Sequence, residues 1–208
     1  MALVILNLLM EILAMLFPSK IMKTFNAVSI CFVTAAILAL LFNSKARASL
    51  TQQSIAIDYL VGEHNISGVR LAYRPIHQRF DDLFLMGDVD LYWEVSMNLW
   101  EYGDTHRHET NFAVALSPVF SWHLKDINSR YPLSVEFGIG VSLVEDTRFA
   151  GKDIGSHYQF EDRLGLSLAF GENLNHSAAI RYMHYSNGGL NAKNPGMDFL
   201  NMAYAYKF

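Results

Sequence analysis

Asp88-Val89-Asp90-Leu91-Tyr92-Trp93-Glu94-Val95-Ser96-Met97-Asn98-Leu99 changes chemistry at every step. Val89, Leu91, Trp93, Val95, Met97 and Leu99 fall on one side of an extended chain. Asp88, Asp90, Tyr92, Glu94, Ser96 and Asn98 fall on the other. Side chains on a strand alternate between faces, so this stretch reads as a long strand with chemically opposed faces. The pattern repeats downstream. Phe112, Val114, Leu116, Phe120, Trp122 and Leu124 oppose Asn111, Ala113, Ala115, Ser117 and Ser121. Leu133, Val135, Phe137, Ile139, Val141 and Leu143 oppose Ser134, Glu136, Gly138, Gly140 and Ser142.

Weaker segments of the same kind lie near 53–61, 68–76, 160–170, 174–186 and 197–208, giving eight strands separated by turn-rich pieces. Eight strands of about ten residues predict an all-β fold, an eight-stranded antiparallel transmembrane β-barrel of the outer-membrane type. A water-soluble barrel is the alternative, and the two differ in where the polar face points. Here the face opposite the bulky residues carries Asp58, Arg70, Arg74, Asp90, Glu94, Glu136, Arg163 and Arg181 among Gly, Ala and Ser. Charges with small residues suit a narrow lumen laced with salt bridges, and the bulky face suits lipid. Met202, Tyr204, Tyr206 and Phe208 alternate with Asn201, Ala203, Ala205 and Lys207. An alternating last strand closed by an aromatic residue resembles the assembly signal of outer-membrane barrels.

Composition agrees. The 208 residues are 51% hydrophobic and 17% charged, with 14 Phe, 10 Tyr and 3 Trp, which excludes a disordered chain. A formal charge of −4 without a basic stripe argues against nucleic-acid binding. The single cysteine excludes a disulfide framework or a Cys-rich zinc site. The apolar content is concentrated at the start. Lys23, an apolar stretch from Ala27 to Phe42 and the exit Ala46-Arg47-Ala48 have the layout of a signal peptide cleaved after Ala48. Met22 reads as its natural start, with residues 1–21 an upstream extension. A membrane-anchoring helix or helical hairpin is the alternative. The expected organisation is a leader over 1–48 and one barrel domain over 49–208. Without Lys20, Lys23, Lys45, Arg47 and Glu11, that domain keeps 12 basic and 19 acidic residues. It keeps no cysteine, which fits an exported protein.

In an even-stranded barrel both termini lie on the periplasmic side, so 187–196 forms an extracellular loop and the end of the seventh strand reaches outer-leaflet depth. Arg181 is costly against lipid and should face the lumen. Its parity then turns His184 and Ser186 outward, about 7 Å apart along one strand face. Asp198 shares the outward parity of Met202 and Tyr204 at the start of the last strand. A serine, a histidine and a carboxylate on one patch make a nucleophile, a base and an orienting acid. Ordinary interfacial residues beside a turn aspartate are the alternative from spacing alone.

The run His184-Tyr185-Ser186-Asn187-Gly188-Gly189-Leu190, followed by Asn194 and Gly196-Met197-Asp198, resembles the PagL-type lipid A 3-O-deacylase family. Upstream pieces are similar too: Ser117-Pro118-Val119-Phe120, Phe137-Gly138-Ile139-Gly140-Val141, Thr147-Arg148, and Gly155-Ser156 leading to Phe160-Glu161-Asp162-Arg163-Leu164-Gly165. The resemblance covers about 115–208. It implies an esterase of the Gram-negative outer membrane, active at the outer leaflet. Its substrate would be lipopolysaccharide, from which it removes the ester-linked 3-hydroxyacyl chain at position 3 of lipid A. By position, Ser186 is the nucleophile, His184 the base and Asp198 the third member. Asn187 helps form the oxyanion hole, with Gly189 and Asn194 shaping the loop. The family's usual third member is glutamate; the shorter Asp198 loses about 1.5 Å of reach. The scheme calls for no metal and no cofactor.

Two rivals stay open: a non-enzymatic structural or adhesive barrel, and a lipid A acyltransferase. The lipid-facing surface leaves room for a homodimer. His106-x-His108-Glu109 has two imidazoles on one side of an extended segment, read as a solvated loop because two ligands at that spacing are weak evidence of a metal site. Asp162 reads as a capping residue at the membrane edge. Arg148, Lys152 and Lys193 read as solvated extracellular charges within reach of lipid A phosphates.

Overall fold

The strand predicted around Trp93 runs from Val89 to Gly103 and is the third of eight that close on themselves. The protein is described by a computed structural model covering residues 47–49, 52–63, 65–81, 87–103 and 106–208. Most of the expected leader, residues 1–48, lies outside the described residues. The strands are β1 (Ser54–Gly62), β2 (Ile66–Phe80), β3 (Val89–Gly103), β4 (His108–Ile127), β5 (Tyr131–Val144), β6 (Tyr158–Phe170), β7 (His176–Ser186) and β8 (Met197–Lys207). Each pairs antiparallel with its neighbour in sequence, and β8 pairs with β1 from Phe199↔Gly62 to Lys207↔Ser54, leaving no free edge in the barrel. Register shifts interrupt β2–β3 between Tyr73 and Ile76, and β4–β5 between His123 and Lys125. The three-residue segment Arg47–Ser49 pairs alongside His77–Arg79.

The alternation read from sequence sorts the two faces. Ile57, Leu71, Met97, Leu166, Ile180 and Met202 stand about half exposed around the outside. No helix among the described residues is long and apolar enough to cross a membrane, and the apolar belt assigns that task to the strands. Below Trp93 the alternation lapses: Val89, Leu91 and Tyr92 are all buried.

Inside, Arg70 is the hub of a buried ion network. It donates to Asp58 Oδ2 at 3.1 Å, Glu94 Oε1 at 2.5 Å and Glu161 Oε1 at 3.3 Å. Arg163 donates to Glu94 at 2.6 Å and also reaches Glu161, while Arg74 Nε holds the other oxygen of Glu94 at 2.8 Å. Arg181 donates to Glu136 at 2.7 Å. Such a network holds its charges only as a set, since removing one partner from a buried pair costs about 3–5 kcal/mol. Small residues make the space: a Cβ on Gly165 would lie 2.7 Å from Arg181 Cγ. Asp90, expected among the lumen charges, instead sits at the inner rim, exposed and bonded to Arg79 at 3.3 Å. Beyond the network toward the inner end lies a vestibule of about 450 Å³ bordered by Arg74, His77, Tyr92 and Lys207.

Toward the outer end the lumen is apolar. Leu60, Trp100, Phe149, Ile154, Met183, Tyr185 and Phe199 are fully buried in one cluster, with Trp100 stacked on Phe199 at 5.2 Å between ring centroids and edge-on to Tyr185 at 4.9 Å. The salt-bridged lumen expected from sequence is thus present in the middle of the barrel, under an aromatic plug. Phe149 and Ile154 come from the β5–β6 loop, which folds back over the barrel mouth and so can supply apolar mass that strand alternation does not reveal.

Candidate active site

β7 carries the site because its two faces are sharply divided. Arg181, Met183 and Tyr185 are buried in the lumen, whereas Ile180 and Tyr182 are exposed and His184 and Ser186 are half-buried on the outside. Registry fixes what surrounds His184. Across β7–β8 it pairs with Asp198, and across β6–β7 with Asp162. Two carboxylates thus flank one imidazole on the lipid side, and one of them bonds it: His184 Nδ1 lies 2.6 Å from Asp198 Oδ1. That bond assigns the proton to Nδ1 and leaves Nε2 as the basic nitrogen. Ser186 is one step further along the same face, opposite Phe160. No hydrogen bond joins Ser186 to His184 in this structure.

The ring has a tightly fitted neighbour that sequence spacing does not reveal. Gly196 has φ +72°, and a Cβ there would stand 2.6 Å from His184 Cε1. Glycine at this position gives the imidazole room and suits the left-handed backbone. Tyr182 is the second unforeseen participant; its hydroxyl donates to Asp198 Oδ1 at 2.5 Å.

The loop following Ser186 is built around Asn187, which is completely buried. Its Nδ2 donates to Ile154 O at 3.0 Å and Lys193 O at 2.7 Å, and its Oδ1 accepts from Gly189 N at 3.0 Å and Asn191 N at 3.4 Å. Both amide hydrogens are thereby engaged, and the side chain serves as the keystone of the loop. Asn194, expected to shape the loop, accepts from Asn187 N at 2.9 Å through Oδ1, which sets its own carboxamide beside the residue that follows Ser186. Gly189 lies in the left-handed region at φ +79°, directing its N–H back to Asn187.

This loop locks onto the β5–β6 loop. Asn191 Nδ2 donates to Gly155 O at 2.8 Å, Lys193 to Asp153 at 2.6 Å, and Lys152 to Gly196 O at 3.1 Å and also to Glu63. The Lys193 ammonium bonded to it holds the Asp153 carboxyl below its ordinary range. Lys152, expected as a solvated charge, is largely buried and clamps the site, whereas Lys193 and Arg148 stay exposed as expected, each facing Asp153, Arg148 at 3.4 Å. His108 pairs with Glu101 at 2.6 Å, and the described residues contain no cluster of three or more His, Cys, Asp or Glu placed to hold a metal.

The family model described as lipid A 3-O-deacylase (PagL) matches residues 67–207. The lipid A deacylase PagL of Bordetella bronchiseptica is 29% identical over 167 residues, covering 78% of this chain and 88% of that protein. The lipid A deacylase PagL of Pseudomonas aeruginosa is 36% identical over 115 residues, covering 54% of this chain and 62% of that protein. A crystal structure of the outer membrane enzyme PagL superposes with a TM-score of 0.60 at 25% identity, covering 74% of this chain and 98% of that one. With the match spanning β2 to β8 and the barrel shared, this chain is an outer-membrane enzyme of the PagL lipid A 3-O-deacylase family.

Proposed function

We propose that the protein hydrolyses the ester of the 3-hydroxyacyl chain at position 3 of lipid A, with Ser186 as nucleophile, His184 as general base and Asp198 as the orienting acid. The observation that carries this reading is the 2.6 Å bond between His184 and Asp198 on a surface that faces lipid, with Ser186 adjacent on the same face. An ester of a membrane lipid sits just below the headgroups, so a soluble active-site cleft would have to extract its substrate. A patch on the outer wall of the barrel meets the ester where it already lies.

Ser186 Oγ attacks the ester carbonyl while His184 Nε2 takes its proton, and Asp198 stabilises the imidazolium through Nδ1. The tetrahedral oxyanion collapses, the sugar oxygen leaves with the proton from His184, and the acyl chain stays on Ser186. Water entering from the headgroup side, deprotonated by His184, then releases a 3-hydroxy fatty acid and restores the serine. Asn194 is assigned as the side-chain donor to the oxyanion, because its carboxamide is held at the backbone N–H of Asn187, the residue after Ser186, and the Asn187 amide is already engaged.

Mass spectrometry of lipid A from cells expressing the protein, beside cells expressing Ser186→Ala, tests the reading. Loss of one 3-hydroxyacyl group with the parent and not with the variant is expected. Loss with both would remove Ser186 from the mechanism. Intact lipid A with a folded parent barrel, in cells and after transfer to detergent micelles with purified lipid A, would overturn the activity itself.

A further inference from the structure

Tyr182 stands on the lipid-facing side of β7, about half exposed, yet its hydroxyl is not directed to water. It pairs across β7–β8 with Leu200, one pair below His184↔Asp198 in the outward series, and its phenol rises diagonally to Asp198 Oδ1 at 2.5 Å. His184 Nδ1 meets that same oxygen at 2.6 Å. One carboxylate oxygen is therefore held between two groups from a single strand face, two residues apart.

The physical need is plain. A carboxylate at the edge of hydrocarbon has little water to solvate it, and a half-exposed aspartate is free to turn about its Cα–Cβ bond away from the imidazole. A second donor on the oxygen that His184 uses satisfies the charge and fixes the rotamer together. The phenyl ring, lying against lipid, also walls the carboxylate off from the acyl region below.

We propose that Tyr182 is a positioning residue of the esterase site, holding the Asp198 carboxylate in the orientation that presents Oδ1 to His184. This rests on the Ser186–His184–Asp198 reading above. Tyr182 acts through Asp198 and touches no reacting atom, so its effect belongs to turnover more than to substrate capture.

The experiment uses the full chain in detergent micelles with purified lipid A, measuring released 3-hydroxy fatty acid as a function of the surface concentration of substrate. Tyr182→Phe keeps the ring and removes the hydroxyl; Tyr182→Ala removes both; heat-shifted mobility in electrophoresis reports the folded barrel. Tyr182→Phe is expected to lower kcat about 10-fold, the scale of one hydrogen bond to a charged group, with KM within about twofold. In an Asp198→Ala background the same substitution is expected to change nothing further, because its point of action is gone. An unchanged kcat in Tyr182→Phe would overturn the proposal, as would an equal loss in the Asp198→Ala background. A change confined to KM would also overturn it, making Tyr182 a contact for the acyl chain. Ser186→Ala assayed alongside separates the two levels. An active Ser186→Ala sinks the triad, whereas an inactive one beside a fully active Tyr182→Phe sinks the role of Tyr182 alone.

Discussion

The inner and outer faces of β7 are made by the same eleven residues and solve opposite problems. Inside, Arg181 is tied to Glu136, Met183 touches Asn201, and Tyr185 donates to Glu161 at 2.8 Å while packing on Trp100. Every group there is enclosed, with partners on both neighbouring strands, on β5 and, through Trp100, across the barrel on β3. Outside, Tyr182, His184 and Ser186 keep open sides toward lipid, and their partners come from β8 and the loop before it. The inner face therefore holds the strand in place, and the outer face can carry reactive groups without being needed for folding. Only the backbone of one strand separates the two roles.

The sharpest way to break that division is to cut each face once. Ser186→Ala is expected to reduce turnover by about 10⁶-fold with no change in unfolding behaviour, the usual scale for a lost nucleophile. Arg181→Ala should do the reverse. It leaves Glu136 buried without its partner, at about 3–5 kcal/mol of stability, while turnover per folded molecule stays within about twofold. Urea titration of the barrel in lipid vesicles, with activity measured on the folded fraction, checks both. If Arg181→Ala reduced turnover as much as stability, the faces would be coupled and the division false.

Gly196→Ala sharpens the outer side. The new methyl would occupy space held by the His184 ring, so the imidazole must move relative to Ser186, and kcat should fall about 100-fold, with about 1–2 kcal/mol of stability lost to the left-handed backbone. Asn187→Ala comes next. It removes a buried side chain that makes four hydrogen bonds, three within its own loop and one to the β5–β6 loop, and an activity loss of about 30-fold is expected from the displaced Ser186–Asn194 segment. Partial recovery on cooling would identify loop mobility as the cause.

The smallest effect concerns acid. Because Lys193 depresses the folded Asp153 carboxyl below its unfolded value near 3.8, the stabilisation is present above that value and is lost as pH falls through the depressed one. Lys193→Ala should return the Asp153 titration toward 3.8, visible by NMR of the side-chain carboxyl. At any given pH between about 5 and 8 the substitution should change activity by less than about twofold, since the Asp153 carboxylate is ionised throughout that range with or without Lys193.

Much of this division is legible in the chain itself. Period two fixes which residues share a face, and the cost of Arg181 in lipid fixes which face is inward. Those two facts alone turn His184, Ser186 and Asp198 outward together. Three things are not legible, each for a physical reason. Asp162 beside His184 depends on the β6–β7 register, which a sequence sets only through the loop between strands. The aromatic plug depends on Phe149 and Ile154 arriving from a loop, outside any alternation. The work of Asn187 depends on backbone carbonyls of Ile154 and Lys193, and carbonyls leave no mark on residue identity. Gly196 and Tyr182 do carry a signal, a glycine two residues before the carboxylate and a phenol two residues before the histidine, recognisable once the pairing is known.

The plugged mouth has a consequence for the cell that holds the protein. With arginines and carboxylates filling the waist and Trp100, Phe149 and Phe199 sealing the outer end, the vestibule opens to one side only. Such a filled barrel is expected to conduct no ions, which single-channel recording in a planar bilayer checks. On that expectation the number of copies in the outer membrane is not limited by leakage, and the permeability barrier stays electrically silent at each of them.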